Sequence, residues 1–416
     1  MKAKLLMGIK KTLSDFVFKD KSSKKSFFAN IVNLLFFITV SLTITIGRIY
    51  PIHYIANILF LIMSLAMMIY VFLYSRFFID HFVVLIIIFN ILIIFSVILN
   101  NFAQESFTLN LLTLGMLPTY YYFSSFDNNR KIALKFFTLS YVVFNIFFLI
   151  MYFEDFVSLN FSYRLGDKIA NQNDLATYLV TAHSIYFYLV LKKNIFYLPL
   201  LFLNIIEMIA TGSRSGLINI LIMSFIVLFL VFGRAKRKQF IIISIVVFAL
   251  AYLTLYLPLF NDLRLRFHNL FISLFTNSTV DESVSNRISL LLNSVEVFLE
   301  NPFFGKGREF AFYSTFDGGV AHNTFIEIAS SYGVFSLIIF VVLFLLSFSQ
   351  SNHIDPKFKL ILVISFLIFY LTLSGQMYKP PYFALPILTA MPRNKPRMIP
   401  VSTSISHPLT NENNYE

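Results

Sequence analysis

The sequence predicts an all-α integral membrane protein, a bundle of about 11–12 transmembrane helices with one large extracytoplasmic loop that contains an amphipathic helix. Of the 416 residues, 57% are hydrophobic and only 13% are charged, which is too little polar surface to cover a soluble globule. Apolar runs of about 20 residues, the length that crosses roughly 30 Å of hydrocarbon, recur along the chain. The basic residues lie in short clusters between these runs, as membrane topology requires.

The apolar runs define the predicted spans. One run, 382–391, is too short to cross the membrane without help from its flanks, so the sequence leaves open whether it crosses or loops through. The other predicted spans are 27–46, 53–74, 82–99, 106–125, 132–152, 172–191, 194–210, 215–232, 239–260, 323–348 and 358–376.

These spans divide the chain into five predicted parts. They are a basic cytoplasmic N-terminus (1–26), a transmembrane bundle of about nine spans (27–260), a large extracytoplasmic loop (261–322), C-terminal spans (323–392) and a polar cytoplasmic tail (393–416). The lysines between Lys2 and Lys25 place the N-terminus in the cytoplasm by the positive-inside rule. Arg393, Lys395 and Arg397 favour the same side for the tail, so the run 382–391 is expected to cross the membrane or to loop through it.

Charge and residue usage exclude several kinds of function. The formal net charge of +12 could suggest a nucleic-acid partner, but the basic residues follow the membrane topology, and no nucleic-acid binding is predicted. The absence of cysteine excludes disulfides and thiolate-ligated zinc or iron–sulfur sites. Asp-x-Asp and His-Glu-x-x-His pairs are absent too, so we predict neither a metal site nor a cofactor.

Basic residues in the predicted outer segments are the exceptions to the topology rule, and they therefore draw attention. The turn "TGSRSG" places Arg214 between two spans, with hydroxyls from Ser213 and Ser215 beside it. A lone arginine at a helix end often only reaches out to lipid phosphates. The small and hydroxylated neighbours of Arg214 favour a functional role, because they let backbone and hydroxyl donors surround the cation.

The large outer loop also carries basic residues in an ordered pattern. In "SNRISLLLNSVEVFLENP", Ile288, Leu291, Leu292, Val295 and Leu299 share one face of a predicted amphipathic helix that has Arg287 in its first turn. The turn "NPFFGKGREF" follows with Lys306 and Arg308, and then "HNTFIEIASSYGV" leads into the next span. His322 and Asn323 lie at the mouth of that span, with Glu327 on the same face as Asn323.

These pieces together resemble the O-antigen polymerase and ligase superfamily of membrane glycosyltransferases. The resemblance rests on "TGSRSGL", the arginine-bearing helix before "NPFFGKGREF", "HNTFIEIASSYGV", and the earlier outer stretch "RLGDKIANQNDLATY" with Arg164 and Asn173. It covers roughly residues 160–350 by the spacing of these motifs. It implies transfer of a glycan from a polyprenyl diphosphate carrier to an acceptor hydroxyl on the outer face of the bacterial cytoplasmic membrane.

The resemblance also implies roles for individual residues. Arg214 and Arg287 would hold the leaving diphosphate, because the guanidinium fork matches phosphate oxygens. His322 would act as the general base, because histidine titrates near neutral pH. We further expect Glu207 and Glu327 to partner arginines, because burial of an unpaired carboxylate is costly. The residues predicted to contact substrate are Ser213, Ser215, Asn323, Glu327, Arg164, Asn173, Lys306 and Arg308.

Structural interpretations remain open for several of these residues. His322 could be an interfacial hydrogen-bonding residue, Arg287 could cap its helix, and Lys306 with Arg308 could form a solvated turn. His183 lies in the middle of a span, and we expect it to hydrogen-bond across helices.

The leading functional prediction is a polymerase that joins lipid-linked repeat units into a capsule, exopolysaccharide or O-antigen. A ligase that moves finished glycan to a lipid or protein acceptor is the alternative within the same superfamily. A transporter of lipid-linked oligosaccharides is a more distant alternative. Transporters carry charged residues or broken helices near the bilayer midplane, whereas the charged residues here gather at one predicted outer face. The predicted partners are the glycan donor and acceptor, the lipid bilayer, a flippase and a chain-length regulator.

Overall fold

The computed structural model describes residues 24–47, 49, 53–100, 104–125, 127–158, 165, 169, 171–232, 282–308, 321–349, 354–372 and 379–390, with isolated positions at 238, 242, 264, 265, 268 and 272. All regular structure within these residues is helical. The helices are α1 (Lys24–Thr45), α2 (His53–Tyr74), α3 (His81–Leu99), α4 (Gln104–Leu114), α5 (Met116–Ser125), α6 (Asp127–Met151), α7 (Phe153–Val157), α8 (Gln172–Leu191), α9 (Leu198–Thr211), α10 (Arg214–Phe232), α11 (Glu282–Glu300), α12 (Thr324–Ser349), α13 (Pro356–Thr372) and α14 (Pro380–Thr389).

Seven of the described helices are long and apolar enough to cross a membrane: α1, α2, α3, α6, α8, α10 and α12. Their outward faces carry large apolar side chains, for example Phe72 and Ile150, which are 75% and 66% exposed. Exposed apolar surface on this scale is stable only against lipid. The predicted class, an all-α integral membrane protein with several spans, is therefore confirmed.

Three of the predicted spans take other forms. Residues 106–125 form two helices, α4 and α5, that meet at Gly115, where a Cβ atom would lie 2.3 Å from Cζ of Phe60. Residues 194–210 form a shorter apolar segment, a 3₁₀ turn followed by α9, and 358–376 corresponds to the 17-residue α13. The predicted span 239–260 lies outside the described residues.

The short twelfth run becomes α14, a helix enclosed by other helices. Every residue of Pro380–Thr389 is buried, and α14 packs against α1, α5, α6 and α12. At its start Lys379 donates a hydrogen bond to Asn57, and past its end the buried Arg130 donates to the carbonyl of Ala390. An arginine at a helix C-terminus satisfies carbonyls that lack helical partners.

Contacts between loops group the helix ends into two sets. One set, called here the site end, joins Asn173 to Ser213 and Asn323 to Leu371. At the opposite end, Nζ of Lys192 lies 3.2 Å from Oδ2 of Asp355. Loops that alternation predicts to share a membrane face thus contact each other. Which end faces outward stays a prediction.

The amphipathic helix predicted in the large loop is present as α11, and Pro302 follows its end. Among the described helices it packs mainly against α12, where Ser294 and Val297 are buried. Its apolar residues Ile288, Leu292 and Leu299 remain more than half exposed. That arrangement fits a helix at the membrane interface, with one side against the bundle and an apolar side available to lipid.

Candidate active site at one end of the bundle

The "TGSRSG" turn places Arg214 at a helix N-terminus. Gly212 ends α9 with φ +60°, a left-handed conformation that glycine adopts without a Cβ penalty. Ser213 then caps α10, since its Oγ accepts from the amide of Gly216 at 3.3 Å. Arg214 is the first residue of α10. Its guanidinium therefore adds to the positive end of a helix dipole, an environment that attracts anions.

The stretch "RLGDKIANQNDLATY", predicted to share a membrane face with this turn, lies directly beside it. Asn171 caps α8 by accepting from the amide of Asn173 at 2.9 Å. Oδ1 of Asn173 in turn accepts from Oγ of Ser213 at 3.0 Å, and the hydroxyls of Ser213 and Ser215 are 3.3 Å apart. Ser213 is fully buried, so its hydroxyl holds the two stretches together. The other predicted residue of this stretch, Arg164, lies outside the described residues.

His322 lies at the start of α12 in an unusual backbone conformation. Oδ1 of Asn323 accepts from the amides of Phe325 and Ile326 at 3.0 and 3.2 Å, so Asn323 is the helix cap. His322 precedes this cap with φ +50°, which is uncommon for a residue with a side chain. Non-glycine residues held in such a conformation are typical of functional sites.

His322, Arg287 and Asp174 form one electrostatic group. Partial burial and the positive charge of Arg287 lower the pKa of His322 below its ordinary value, and the carboxylate of Asp174 opposes that change. His322 is therefore neutral at neutral pH, the form that accepts a proton. These three residues come from α11, from the mouth of α12 and from the first turn of α8.

Asp174 is a residue that the sequence reasoning missed. It belongs to the quoted stretch "RLGDKIANQNDLATY", but an acidic residue in a first helical turn is ordinary, because it complements the helix dipole. The signal in the sequence that could have indicated a functional role for Asp174 is its position next to Asn173. The fold reveals what the sequence does not, because the carboxylate of Asp174 acts electrostatically on His322, which lies about 150 residues further along the chain.

The two glutamates differ in their partners. Glu327 pairs with Arg308, with Nε and Oε1 3.5 Å apart and both side chains largely buried, which confirms the expected arginine partner. Glu207 was wrongly predicted to do the same. It lies on the side of α9 that faces α6, where the amide of Asn145 donates to its carboxylate and Tyr186 donates to Asn145 at 2.7 Å. The partner of the Glu207 carboxylate is thus the neutral amide of Asn145, supported by Tyr186, and not the arginine that was expected.

The turn with Lys306 and Arg308 is not a solvated turn. Gly305 and Gly307 are buried, and the amides of Lys306 and Gly307 donate to carbonyls of α12. The Lys306 side chain remains about one third exposed, 3.9 Å from a carboxylate oxygen of Glu300. His183 behaves as expected, since its Nε2 lies 2.7 Å from Oγ of Ser224 on another helix.

Polar side chains also line a small pocket beneath the "TGSRSG" turn. It has room for about one water molecule. Asn173, Thr177, Ser215, Asn219 and Thr372 line it together with apolar residues. Nδ2 of Asn219 lies 3.4 Å from Oγ1 of Thr372, which links α10 to the end of α13. Within the described residues, no three histidine, aspartate or glutamate side chains cluster in a way that could hold a metal ion.

A known protein family matches the region that contains most of this site. Residues 199–341 match the family model described as "O-Antigen ligase". The chain is also 30% identical over 187 residues to the teichuronic acid biosynthesis protein TuaE of Bacillus subtilis (strain 168). That match covers 40% of this chain and 37% of the relative, so the chain matches little more than a third of the relative's length. The resemblance of the sequence motifs to the O-antigen polymerase and ligase superfamily is thereby confirmed.

Proposed function

We propose that the protein is a membrane glycosyltransferase that polymerises polyprenyl-diphosphate-linked oligosaccharide repeat units into a surface polysaccharide. The observation that carries this proposal is the electrostatic effect of both Arg287 and Asp174 on His322, at the end of the bundle where Arg214 begins a helix. The group combines fixed cations, a neutral imidazole and a carboxylate at a membrane surface. Those are the groups that displacement of a lipid-anchored diphosphate requires.

The proposed step is a direct displacement at the anomeric carbon of the donor sugar. The acceptor hydroxyl oxygen forms a bond to that carbon, the carbon–oxygen bond to the diphosphate breaks, and its electron pair leaves with the diphosphate. Arg214 and Arg287 stabilise the charge that develops on the leaving group. His322 takes the proton of the acceptor hydroxyl, and Asp174 stabilises the imidazolium that forms.

The remaining predicted contact residues support this site. Ser215 and Asn173 lie where glycan hydroxyls near Arg214 would find hydrogen-bond partners. Asn323 and Glu327 hold the mouth of α12, Glu327 through its pair with Arg308. Lys306 offers a partly exposed ammonium on the same side. A flippase that supplies the repeat units and a chain-length regulator are the proposed protein partners.

A ligase is the second candidate, because the matched family model carries that description. The name of the TuaE relative favours formation of a polysaccharide instead. Purified protein in vesicles should lengthen lipid-linked repeat units when no other acceptor is present. A ligase would leave the repeat units unchanged under these conditions and would need an added acceptor.

Metal independence is a testable part of the proposal. The arginines and the helix N-terminus supply the positive charge that a divalent ion would otherwise provide. Transfer by the purified protein should therefore continue undiminished in excess EDTA. An EDTA-inhibited reaction that magnesium or manganese restores would show that a metal ion takes part.

Orientation is also open to test, since we propose that the site end faces outward from the cytoplasmic membrane. The cysteine-free chain allows single reporters at exposed positions of the two ends, Ser289→Cys in α11 and Lys357→Cys in α13. In intact cells an impermeant maleimide should label the first variant and spare the second. Lysed cells should show labelling of both. The reverse pattern in intact cells would invert the topology.

A further inference from the structure

The turn at residues 301–308 inserts into an interruption of α12. At Gly333, α12 departs from helical geometry, with φ +82° and ψ 176°. The amide of Val334 donates to the carbonyl of Pro302 at 2.7 Å, so the carbonyl of Ser330 loses its helical partner. The amide of Lys306 donates to that carbonyl at 2.9 Å, and the amide of Gly307 donates to Ser331 at 3.0 Å. The turn thus replaces the missing helical hydrogen bonds.

The backbones approach each other so closely that only glycine fits at two positions. A Cβ atom on Gly333 would lie 1.9 Å from the carbonyl oxygen of Phe303. A Cβ atom on Gly305 would lie 2.3 Å from the carbonyl carbon of Ser331, and Gly305 also has φ +66°. Any side chain at either position would push the turn away from α12.

A third helix fastens the same contact. Oγ of Ser96, one turn before the end of α3, donates to the carbonyl of Ser331 at 2.9 Å. Nδ2 of Asn100, just past that end, donates to the carbonyl of Gly305 at 3.2 Å. Phe304 packs on Phe95 of α3 with ring centroids 5.2 Å apart. The turn is therefore held by two helices of the bundle.

The two residues joined through this turn belong to the candidate site. The turn follows α11 directly, and α11 carries Arg287; α12 carries His322 at its mouth. Since α11 packs mainly against α12 among the described helices, the turn and that packing together fix where Arg287 lies relative to His322. A misplacement of about 1 Å can cost roughly 100-fold in rate.

We propose that the turn at residues 301–308 is a clamp that sets the position of Arg287 against His322, with Gly305 and Asn100 as positioning residues. This inference rests on the proposed function. A turn that only stabilised the fold would lower the amount of folded protein, with no selective effect on the rate of the remaining molecules. A clamp affects the catalytic rate of protein that is folded and binds substrate normally.

Gly305→Ala and Gly307→Ala form a matched pair for the test. Both glycines have left-handed φ values, +66° and +77°, so alanine brings similar backbone strain at either position. A Cβ atom at Gly307 would lie 3.2 Å from Cβ of Asn100 and would not meet the α12 backbone. Using lipid-linked oligosaccharide extracted from a host strain that lacks this gene, Gly305→Ala should lower kcat about 100-fold with little change in KM. Gly307→Ala, whose Cβ presses only on Asn100 and leaves the α12 backbone untouched, should lower kcat by less than about tenfold.

A reporter that does not depend on activity shows whether the turn is docked. Ser331 is fully buried and its carbonyl accepts from the Gly307 amide of the turn, so Ser331→Cys places a nearly isosteric thiol beside the turn in a cysteine-free chain. Gly305→Ala or Asn100→Ala should accelerate maleimide labelling of this thiol at least tenfold. Asn90→Ala is the control, because Asn90 makes a similar bond to its own helix, to Ile86 at 2.8 Å, away from the turn.

The outcomes separate the clamp from the proposed function. Labelling as slow in Gly305→Ala as in the parent would show that the turn is not displaced, and would overturn the clamp. If Gly305→Ala labelled fast but kept a kcat equal to that of Gly307→Ala, the turn would be displaced without affecting catalysis, and the positioning role would be wrong. If the parent itself transferred no glycan, the proposed function and the positioning role would both fall, while the labelling difference would still establish a docked turn.

Discussion

Arg214→Lys is expected to reduce glycan transfer by about two to three orders of magnitude, the usual cost of losing one preorganised donor to a developing negative charge. Lysine keeps the charge but loses the planar fork that contacts two phosphate oxygens at once. Arg214 begins α10 directly after the capping residue Ser213, so the fold sets the position of its backbone. Arg287→Lys should have a similar effect, because we propose that Arg287, whose charge acts on His322, holds the same diphosphate.

The measurement is glycan length on a gel, in a strain that lacks the native gene and carries each variant at matched expression. Arg76→Lys is the control, because Arg76 is an exposed arginine that follows the last residue of α2 at the opposite end of the bundle. It should support full-length polymer. Full-length polymer from Arg214→Lys would mean that Arg214 is only an anchor at the membrane interface, and its catalytic assignment would be lost.

The membrane class and most helices could be predicted because lipid makes a simple demand on sequence. A chain that crosses hydrocarbon must satisfy its backbone within one helix, so a run of about 20 apolar residues is a reliable signal. Where protein surrounds a segment, that demand is relaxed. The ten-residue α14 is enclosed by four helices, and the break at Gly115 precedes Pro118, which has no amide hydrogen to donate within the helix.

The arrangement of the candidate site could be predicted in part, for a similar reason. Local chemistry shows in the sequence: Arg214 in a turn of small residues, and His322 beside a helix cap. Contacts across long separations do not. The approach of Asp174 to His322, and the insertion of the 301–308 turn at Gly333, depend on how helices distant in sequence pack. The two glycines of "GKG" signalled a turn, but the sequence did not show that α12 would receive it.

His322→Ala should reduce transfer by about 100-fold to 10,000-fold, the range that a positioned general base contributes. His81→Ala is the matched control, because His81 is an exposed histidine at the opposite end of the bundle. Protein level and membrane insertion should be unchanged in both variants, since a partly exposed residue outside the packed helices adds little to folding. Equal transfer by both variants would remove the base assignment.

The pH dependence gives an independent and more specific test of the same residue. Burial and Arg287 lower the pKa of His322 from its ordinary 6.5, so the acid limb of kcat/KM should have its midpoint below pH 6.5. The base form is present above that midpoint and is lost as the pH falls through it. The value of kcat/KM should therefore be constant from pH values well above the midpoint up to neutral pH.

The neighbours of His322 should move this limb in opposite directions. Asp174→Asn removes the carboxylate that raises the pKa of His322, so the limb should shift to lower pH. Arg287→Gln removes the cation that lowers the pKa, so the limb of its residual activity should shift to higher pH. A purely structural loss would reduce the rate at every pH without moving the midpoint. Shifts of the same sign in the two variants would show that the titrating group is not the imidazole between Asp174 and Arg287.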